Sequence, residues 1–406
     1  MVQTEIGLFP VEWNLKNLED SFTLKARIGW QGLTTSEYME VGEYLLVTGT
    51  DFKNGYIEWD NCVFVERIRF DQDKSIQLRN GDVLVTKDGT IGKVAYVDFL
   101  PKPATLNSGV FVLRPKARDI DNRFFFYVLM SFYFDEFLVK ITAGSTITHL
   151  YQKDFVNFNF ICPPLPEQET IAEALSDADE WIESLEKLIA KKRLIKKGAM
   201  QELLTSKEGW EKKRLGELLL RNPEYGINAA AVKYQDKLPT YLRITDISEN
   251  GTFLQDGKVS VDHFLSVNYM LDAGDVCIAR TGASVGKSYY HKKENGNLVF
   301  AGFLIRLKVN PQLLNSKLLF YITKSQSYQD YINSNSLRSG QPGINSLELQ
   351  SYEFFIPNSL TEQTRIATIL SDMDAELETL TKQLEKARKI KQGMMQELLT
   401  GRIRLV

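Results

Sequence analysis

The sequence predicts an α+β chain of two similar halves, each a globular domain followed by one long helix. Three observations lead there. The chain repeats itself, its apolar residues fall into seven-residue spacing at two places, and prolines and glycines bracket both places. With 406 residues the chain is long enough for two domains of ordinary size.

The repeat is clearest in the helical segments. Residues 167–205 and 362–400 align without gaps at an offset of 195, and 22 of the 39 positions are identical. Apolar residues in the first copy fall at Ile171, Leu175, Ala178, Ile182, Leu185 and Ile189. In the second they fall at Ile366, Leu370, Met373, Leu377, Leu380, Leu384 and Ala387. Alternating steps of four and three make the seam along which helices pair in a coiled coil. Pro163, Pro164 and Pro166 bar helix before the first copy, and Pro357 before the second. Gly209 and Gly401 lie just beyond the ends, where helices stop.

The globular segments correspond more weakly. Trp13 to Leu18 matches Trp210 to Leu215, and Gly81-Asp82-Val83 matches Gly274-Asp275-Val276. Each runs on into a glycine turn and a Gly-Lys pair, Gly92-Lys93 and Gly286-Lys287, and Phe124 to Tyr127 matches Leu318 to Tyr321. Short β-branched segments mixed with helical ones make each half α+β. The expected domains are therefore 1–162, a helix over 163–205, a second domain over 206–357, and a second helix with tail over 358–406. A helix leading into the second domain and one returning from it pair antiparallel. The domains then sit at opposite ends, related by a pseudo-twofold axis.

Composition narrows the class. The chain is 43% apolar and 25% charged, as soluble globular proteins are. No apolar run reaches the ~18 residues of a membrane helix, and Phe124 to Phe134 reads as a buried helix. The first residues lack the pattern of a signal peptide. Cys62, Cys162 and Cys277 are too scattered for a disulfide framework or a zinc knuckle, and a cytoplasmic location with no membrane partner is expected. Net charge is −3, with roughly −4 up to residue 160 and roughly +3 from 206 to 360. A DNA binder of this charge takes much of its electrostatic grip from a partner.

No catalytic constellation is visible, so the chain is not expected to be an enzyme. Gly282-Ala283-Ser284-Val285-Gly286-Lys287-Ser288 resembles a phosphate-binding loop but has three residues between its glycines where four are needed. It reads as a tight turn between strands. That turn and its counterpart in the first half offer Lys87, Asp88, Thr90 and Lys93, and Arg280, Thr281, Ser284 and Lys287, as candidate DNA contacts. Long cations suit guanine edges and phosphates, and short hydroxyls suit phosphate oxygens. A second pair of loops, 143–149 and 338–345, is rich in glycine and small polar residues and adds Ser145, Thr146, Arg338, Ser339 and Gln341. Basic runs from Lys187 to Lys197 and from Lys382 to Lys391 read as solvated helix faces, with contact to DNA phosphates as the alternative.

At these residues the chain resembles the specificity subunits of Type I restriction–modification systems. The Pro-Pro-Leu-Pro-Glu-Gln helix start at 163–168, the two Gln-Glu-Leu-Leu-Thr helix ends, the Gly-Asp-Val strands and the terminal Leu399-Thr400-Gly401-Arg402-Ile403-Arg404-Leu405 carry the resemblance. It implies two target recognition domains, each reading half of a split, asymmetric site on double-stranded DNA. Paired helices would set the gap and bind two modification subunits that use S-adenosylmethionine, with restriction subunits adding ATP/Mg-driven translocation. No cofactor is expected on this chain. The second helix start, Pro357 to Glu362, lacks the proline cluster but keeps the Glu-Gln pair, and a looser start is expected there. The alternative class is a coiled-coil scaffold joining two protein-binding domains with no role on DNA.

Overall fold

The computed structural model describes residues 2–4, 7–29, 32–142, 149–338 and 340–405. They form two compact units, Met1–Glu186 with Gln383–Val406, and Lys187–Lys382. Among the described residues no helix is long and apolar enough to cross a membrane.

In unit 1 the strands include β1 (Asn14–Asn17), β2 (Phe22–Lys25), β3 (Tyr44–Val47), β4 (Val63–Val65), β5 (Val83–Thr86), β6 (Val94–Tyr96), β7 (Ala104–Leu106) and β8 (Val110–Pro115). Helices α1 (Asn122–Leu129) and α2 (Phe132–Thr142) follow, then β9 (Asn159–Cys162) and the first long helix, α3 (Leu165–Leu203), whose second half belongs to unit 2. The main sheet has the order β6-β5-β8-β2, a second sheet has the order β7-β3-β4, and β1 pairs with β9. Strand β5 is buried on both faces. Val83 and Val85 face the helices and Leu84 faces the second sheet, as the two-residue strand period requires. The apolar segment at Phe124 forms two helices where the sequence suggested one, with Met130 and Ser131 between them. The Ser131 hydroxyl donates to the Val128 carbonyl at 2.6 Å, and such local bonding competes with helix continuation.

Unit 2 repeats this arrangement. Its strands are β10 (Trp210–Arg214), β11 (Glu224–Tyr225), β12 (Ala231–Lys233), β13 (Thr240–Leu242), β14 (Val259–Val261), β15 (Val276–Ala279), β16 (Ser288–Tyr290), β17 (Leu298–Phe300) and β18 (Leu304–Leu307). Helices α4 (Ser316–Ile322), α5 (Gln326–Asn335) and α6 (Ser346–Gln350), strand β19 (Glu353–Pro357) and the second long helix, α7 (Leu360–Leu398), complete the chain. The main sheet, β11-β18-β15-β16, has the topology of its counterpart in unit 1, and β10 pairs with β19 as β1 does with β9. The parallel pair β3–β7 recurs as β13–β17.

The repeated motifs have structural roles. In Gly-Asp-Val, Asp82 is buried, accepts the Arg79 backbone N–H at 2.8 Å, and takes both arms of Arg114 from β8 at 2.7 and 2.6 Å. Asp275 likewise accepts the Asp272 N–H at 3.0 Å and lies 3.7 Å from Arg306 of β18. The Gln of each Glu-Gln pair is fully buried. Gln168 accepts the Asp121 N–H at 2.9 Å and donates to the carbonyls of Asp119 and Pro163. Gln363 accepts the Asn315 N–H at 2.8 Å and donates to Leu313 and Pro357. The second helix start is thus held by the same bonds as the first, without the proline cluster.

The long helices pack antiparallel. In unit 1, Asp179 and Glu186 of α3 pair with Lys391 and Arg388 of α7. In unit 2, Lys192 and Lys196 of α3 pair with Glu376 and Asp374 of α7. Residue numbers rise along one helix as they fall along the other. Lys192, Lys196, Arg388 and Lys391 thus engage carboxylates of the other helix, while Lys191, Arg193, Lys197, Lys386 and Lys389 are exposed. Among the apolar seam residues, Leu185, Ile189 and Leu384 are buried, and Ile182, Leu377 and Leu380 are half-buried. Ile171 and Leu175 join the core of unit 1 together with Leu398 and Leu399, and Ile366 and Leu370 join that of unit 2.

Gly92 and Gly286, from the Gly-Lys pairs, both have positive φ, +78° and +84°. A Cβ there would lie 2.2 Å from Leu138 of α2 and 2.7 Å from Ile332 of α5, so each hairpin touches its helix through a missing side chain. Gly286→Ala is expected to cost about 1–3 kcal/mol, from backbone strain and overpacking together. A lowered denaturation midpoint for unit 2 checks this, and an unchanged midpoint would show that the helix yields freely.

Candidate nucleic-acid interface

In each unit the turn of the main-sheet hairpin meets the loop that follows the second helix of its domain. In unit 1 the Leu150 N–H donates to the Lys87 carbonyl at 2.8 Å, Asp88 and His149 form an isolated β-bridge, and their side chains are paired. In unit 2 the Ile344 N–H donates to the Arg280 carbonyl at 2.8 Å, and Thr281 and Gly343 form the equivalent bridge. The Gly282 N–H adds a bond to the Pro342 carbonyl at 2.9 Å. In unit 2 the two loops that the sequence nominated separately thus form one composite surface, and in unit 1 the described end of the second loop, His149, joins the first turn in the same way.

The candidate residues are placed unequally on it. Asp88, Thr90 and Lys93 are exposed, and Lys87 is half-buried with its ammonium 5.5 Å from the Phe111 ring centroid. Arg280 is half-buried, and its guanidinium stacks 4.6 Å above the Tyr225 ring. Its Nε is buried and has no hydrogen-bond partner among the described residues. Thr281 and Ser284 are half-buried beside it. Lys287 is tied down by Glu249 at 2.6 Å, and this hydrogen bond holds the Glu249 carboxyl below its ordinary range. Arg338 is exposed but paired with Glu348 at 2.5 Å, and Gln341 is exposed. Ser145, Thr146 and Ser339 lie outside the described residues.

Sequence reasoning missed several participants. Tyr225 sits under Arg280 and accepts the Ser346 N–H at 3.0 Å, and Phe303, whose carbonyl accepts the Arg280 N–H, is 61% exposed beside it. Thr86 is buried and holds the first turn from inside, donating to the Thr90 carbonyl at 2.6 Å and accepting the Lys93 N–H at 2.9 Å. Ala279 stands at the corresponding place in unit 2, so the repeat gave no sign of this hydroxyl. Among the described residues no group of His, Cys, Asp or Glu is arranged to hold a metal ion.

The described residues of these surfaces offer short hydroxyls, a stacked arginine and backbone turns, groups that can bind and read. The family model for the Type I restriction modification DNA specificity domain matches twice, at residues 10–192 and 207–388. The chain belongs to that family. It is a DNA specificity subunit of a Type I restriction–modification system, itself non-catalytic. Relatives include the MjaVIII specificity subunit of Methanocaldococcus jannaschii, 27% identical over 82% of this chain and 81% of that one. The EcoKI specificity subunit of Escherichia coli is 22% identical over 98% and 90%. In fold, the chain is similar to the S subunit from M. genitalium, with a TM-score of 0.62 at 17% identity, covering 95% of this chain and 96% of that one. Another similar structure comes from work on complex assembly of the type I system, with a TM-score of 0.54, 17% identity, and coverage of 98% and 100%. The specificity subunit works in a complex with other subunits, and the scaffold reading with no DNA role falls away.

The Thr86 contacts generate a prediction. Thr86→Val keeps the shape but leaves the Lys93 N–H unsatisfied, and a loss of about 1–3 kcal/mol is expected. Amide exchange at Lys93 should accelerate, and protection as in the unsubstituted chain would show that another acceptor takes over.

Proposed function

We propose that this specificity subunit reads a split, asymmetric site on double-stranded DNA, one half through each composite loop surface, and docks two modification subunits on its helix pair. The supporting observation is that the two surfaces are fastened by the same backbone bonds but carry different side chains. Lys87, Asp88 and His149 stand where Arg280, Thr281 and Gly343 stand in the other half. A shared frame with divergent residues suits two different half-sites, whereas the far more similar helices suit one partner bound twice. S-adenosylmethionine belongs to the modification subunits, and ATP with Mg to restriction subunits that join the complex. The acidic first domain, at roughly −4, leaves much of the phosphate contact to those partners.

In this reading Arg280 addresses a base. Its guanidinium is pre-oriented on Tyr225, so little rotational freedom is lost on contact. Arg280→Ala is expected to weaken binding of the second half-site by ~1–3 kcal/mol and to relax the bases read there, with the first half-site unchanged. Gel shifts with the modification complex and methylome sequencing measure both effects. An unaltered motif and affinity would place Arg280 away from the bases.

The helices are the spacer. Removing residues 185–191 from α3 and 379–385 from α7, opposite one another by the pairings above, takes out one heptad from each and ~10 Å of length, close to three base pairs. The unspecified gap in the methylated motif should shorten by about that amount, with both half-sites kept. DNA also turns over that distance, and activity falls if groove alignment is lost. An active deletion variant with an unaltered gap would assign the spacing to the modification subunits.

A further inference from the structure

Each unit holds the same three-residue cluster where its domain meets the paired helices. In unit 1 the Tyr127 hydroxyl of α1 donates to Asp179 Oδ2 of α3 at 2.8 Å. The other Asp179 oxygen is paired with Lys391 of α7, whose ammonium lies 5.5 Å from the Tyr127 ring centroid. In unit 2 the Tyr321 hydroxyl of α4 donates to Asp374 Oδ2 of α7 at 2.7 Å. The other Asp374 oxygen is paired with Lys196 of α3, 5.8 Å from the Tyr321 ring. Both tyrosines are fully buried and both lysine side chains keep only 16% exposure, while the carboxylates keep 15% at Asp179 and 40% at Asp374. The clusters are equivalents in the repeat, since Asp179 to Lys196 and Asp374 to Lys391 span the same seventeen residues.

An apolar seam that recurs every seven residues is nearly blind to a slide of seven, because each apolar residue meets another. The clusters are not blind to it. After a slide of seven in either direction, Asp179 would face Leu384 or Leu398, and Asp374 would face Ile189 or Leu203. A buried ion pair contributes little net stability, but a buried charge stripped of its partner is heavily penalised, which here applies to Lys196, Lys391 and Asp179 more than to the part-exposed Asp374. Such pairs therefore choose between arrangements more than they drive association. The tyrosines extend the choice to the domains, because each hydroxyl comes from a domain helix and reads the same carboxylate.

We propose that the two Tyr–Asp–Lys clusters fix the antiparallel register of the helix pair and, through it, the gap between the half-sites; the second part rests on the spacer reading given above. The test uses the full chain, alone and with its modification subunit, carrying Asp179→Leu, Lys391→Leu, Lys196→Leu and Asp374→Leu together. Register is read by a short bis-maleimide cross-linker between Glu186→Cys and Arg388→Cys, which pair at 2.6 Å in the native register, or between Glu186→Cys and Met395→Cys, which meet only after a slide of seven. The three native cysteines are buried. The unsubstituted chain should cross-link only in the first combination, and the apolar variant in both. Methylome sequencing should find one gap for the former and a mixture of gaps for the latter. A single native cross-link in the apolar variant overturns the proposal. Mixed cross-links with one unaltered gap uphold the register role and overturn its link to the gap. A second pair of variants holds if the apolar chain fails to fold. Asp179→Lys alone should lose the native cross-link, and adding Lys391→Asp should restore it. Failure of that restoration overturns the proposal.

Discussion

A buried amide at the start of each long helix is the constraint on which the rest of the molecule depends. Gln168 and Gln363 each accept one backbone N–H and donate to two backbone carbonyls, all from the segments that flank the helix start. Asp121 and Asn315, whose N–H groups they hold, cap α1 and α4. One side chain thus ties together the long helix, the strand before it and the start of α1 or α4. An unmade bond in such a buried network costs the full desolvation of the group left behind, so the geometry is strongly specified. With the helix direction set in each domain, the loop surface of each half has a defined relation to the long helix that leaves it.

The duplicated frame separates two tasks that most binding proteins carry on the same residues. Bonds such as Leu150 N–H to Lys87 carbonyl, and Ile344 N–H to Arg280 carbonyl, involve only backbone. The side chains at these positions are free to differ, and they do. The glycines at 92 and 286 are not free, because both have positive φ and, at Gly286, the Ile332 side chain leaves no room for a Cβ. Constraint and variation therefore alternate along a few residues of one hairpin.

The helical part of the fold was legible in the sequence because a seven-residue apolar period and an ungapped repeat leave little choice. The same period could not say which neighbour each apolar residue meets. Ile171, Leu175, Ile366 and Leu370 belong by spacing to a helix–helix seam, and they are buried in clusters that join residues of the other long helix to the domain cores, since period reports a face and not all of its partners. Most of the basic residues stand on solvated faces, as their spacing suggested, but Lys196 and Lys391 are mostly buried, because their carboxylate partners lie some 180 residues or more away in sequence. At the candidate interface the hairpin turns were recognisable from glycine spacing. Their union with the following loops was not, because it is made by backbone bonds that no residue type announces. Tyr225 escaped for a related reason, since a single aromatic in a two-residue strand carries no pattern.

The division of the chain also has a bearing on how it forms during synthesis. Unit 2 is one continuous stretch, Lys187–Lys382, whereas unit 1 needs Gln383–Val406 as well. Leu398 and Leu399 fill its core, and Arg404 reaches Glu167, the buried carboxylate that also holds the Trp13 indole. A ribosome delivers residues in order, and domains generally fold as units as they emerge. The half of the molecule made first is therefore the half completed last. Until residues 383–406 arrive, the apolar stripe of α3 beside Ile171 and Leu175 lacks its cover, and a nascent chain cut short near residue 390 would hold a finished second domain behind an unfinished first.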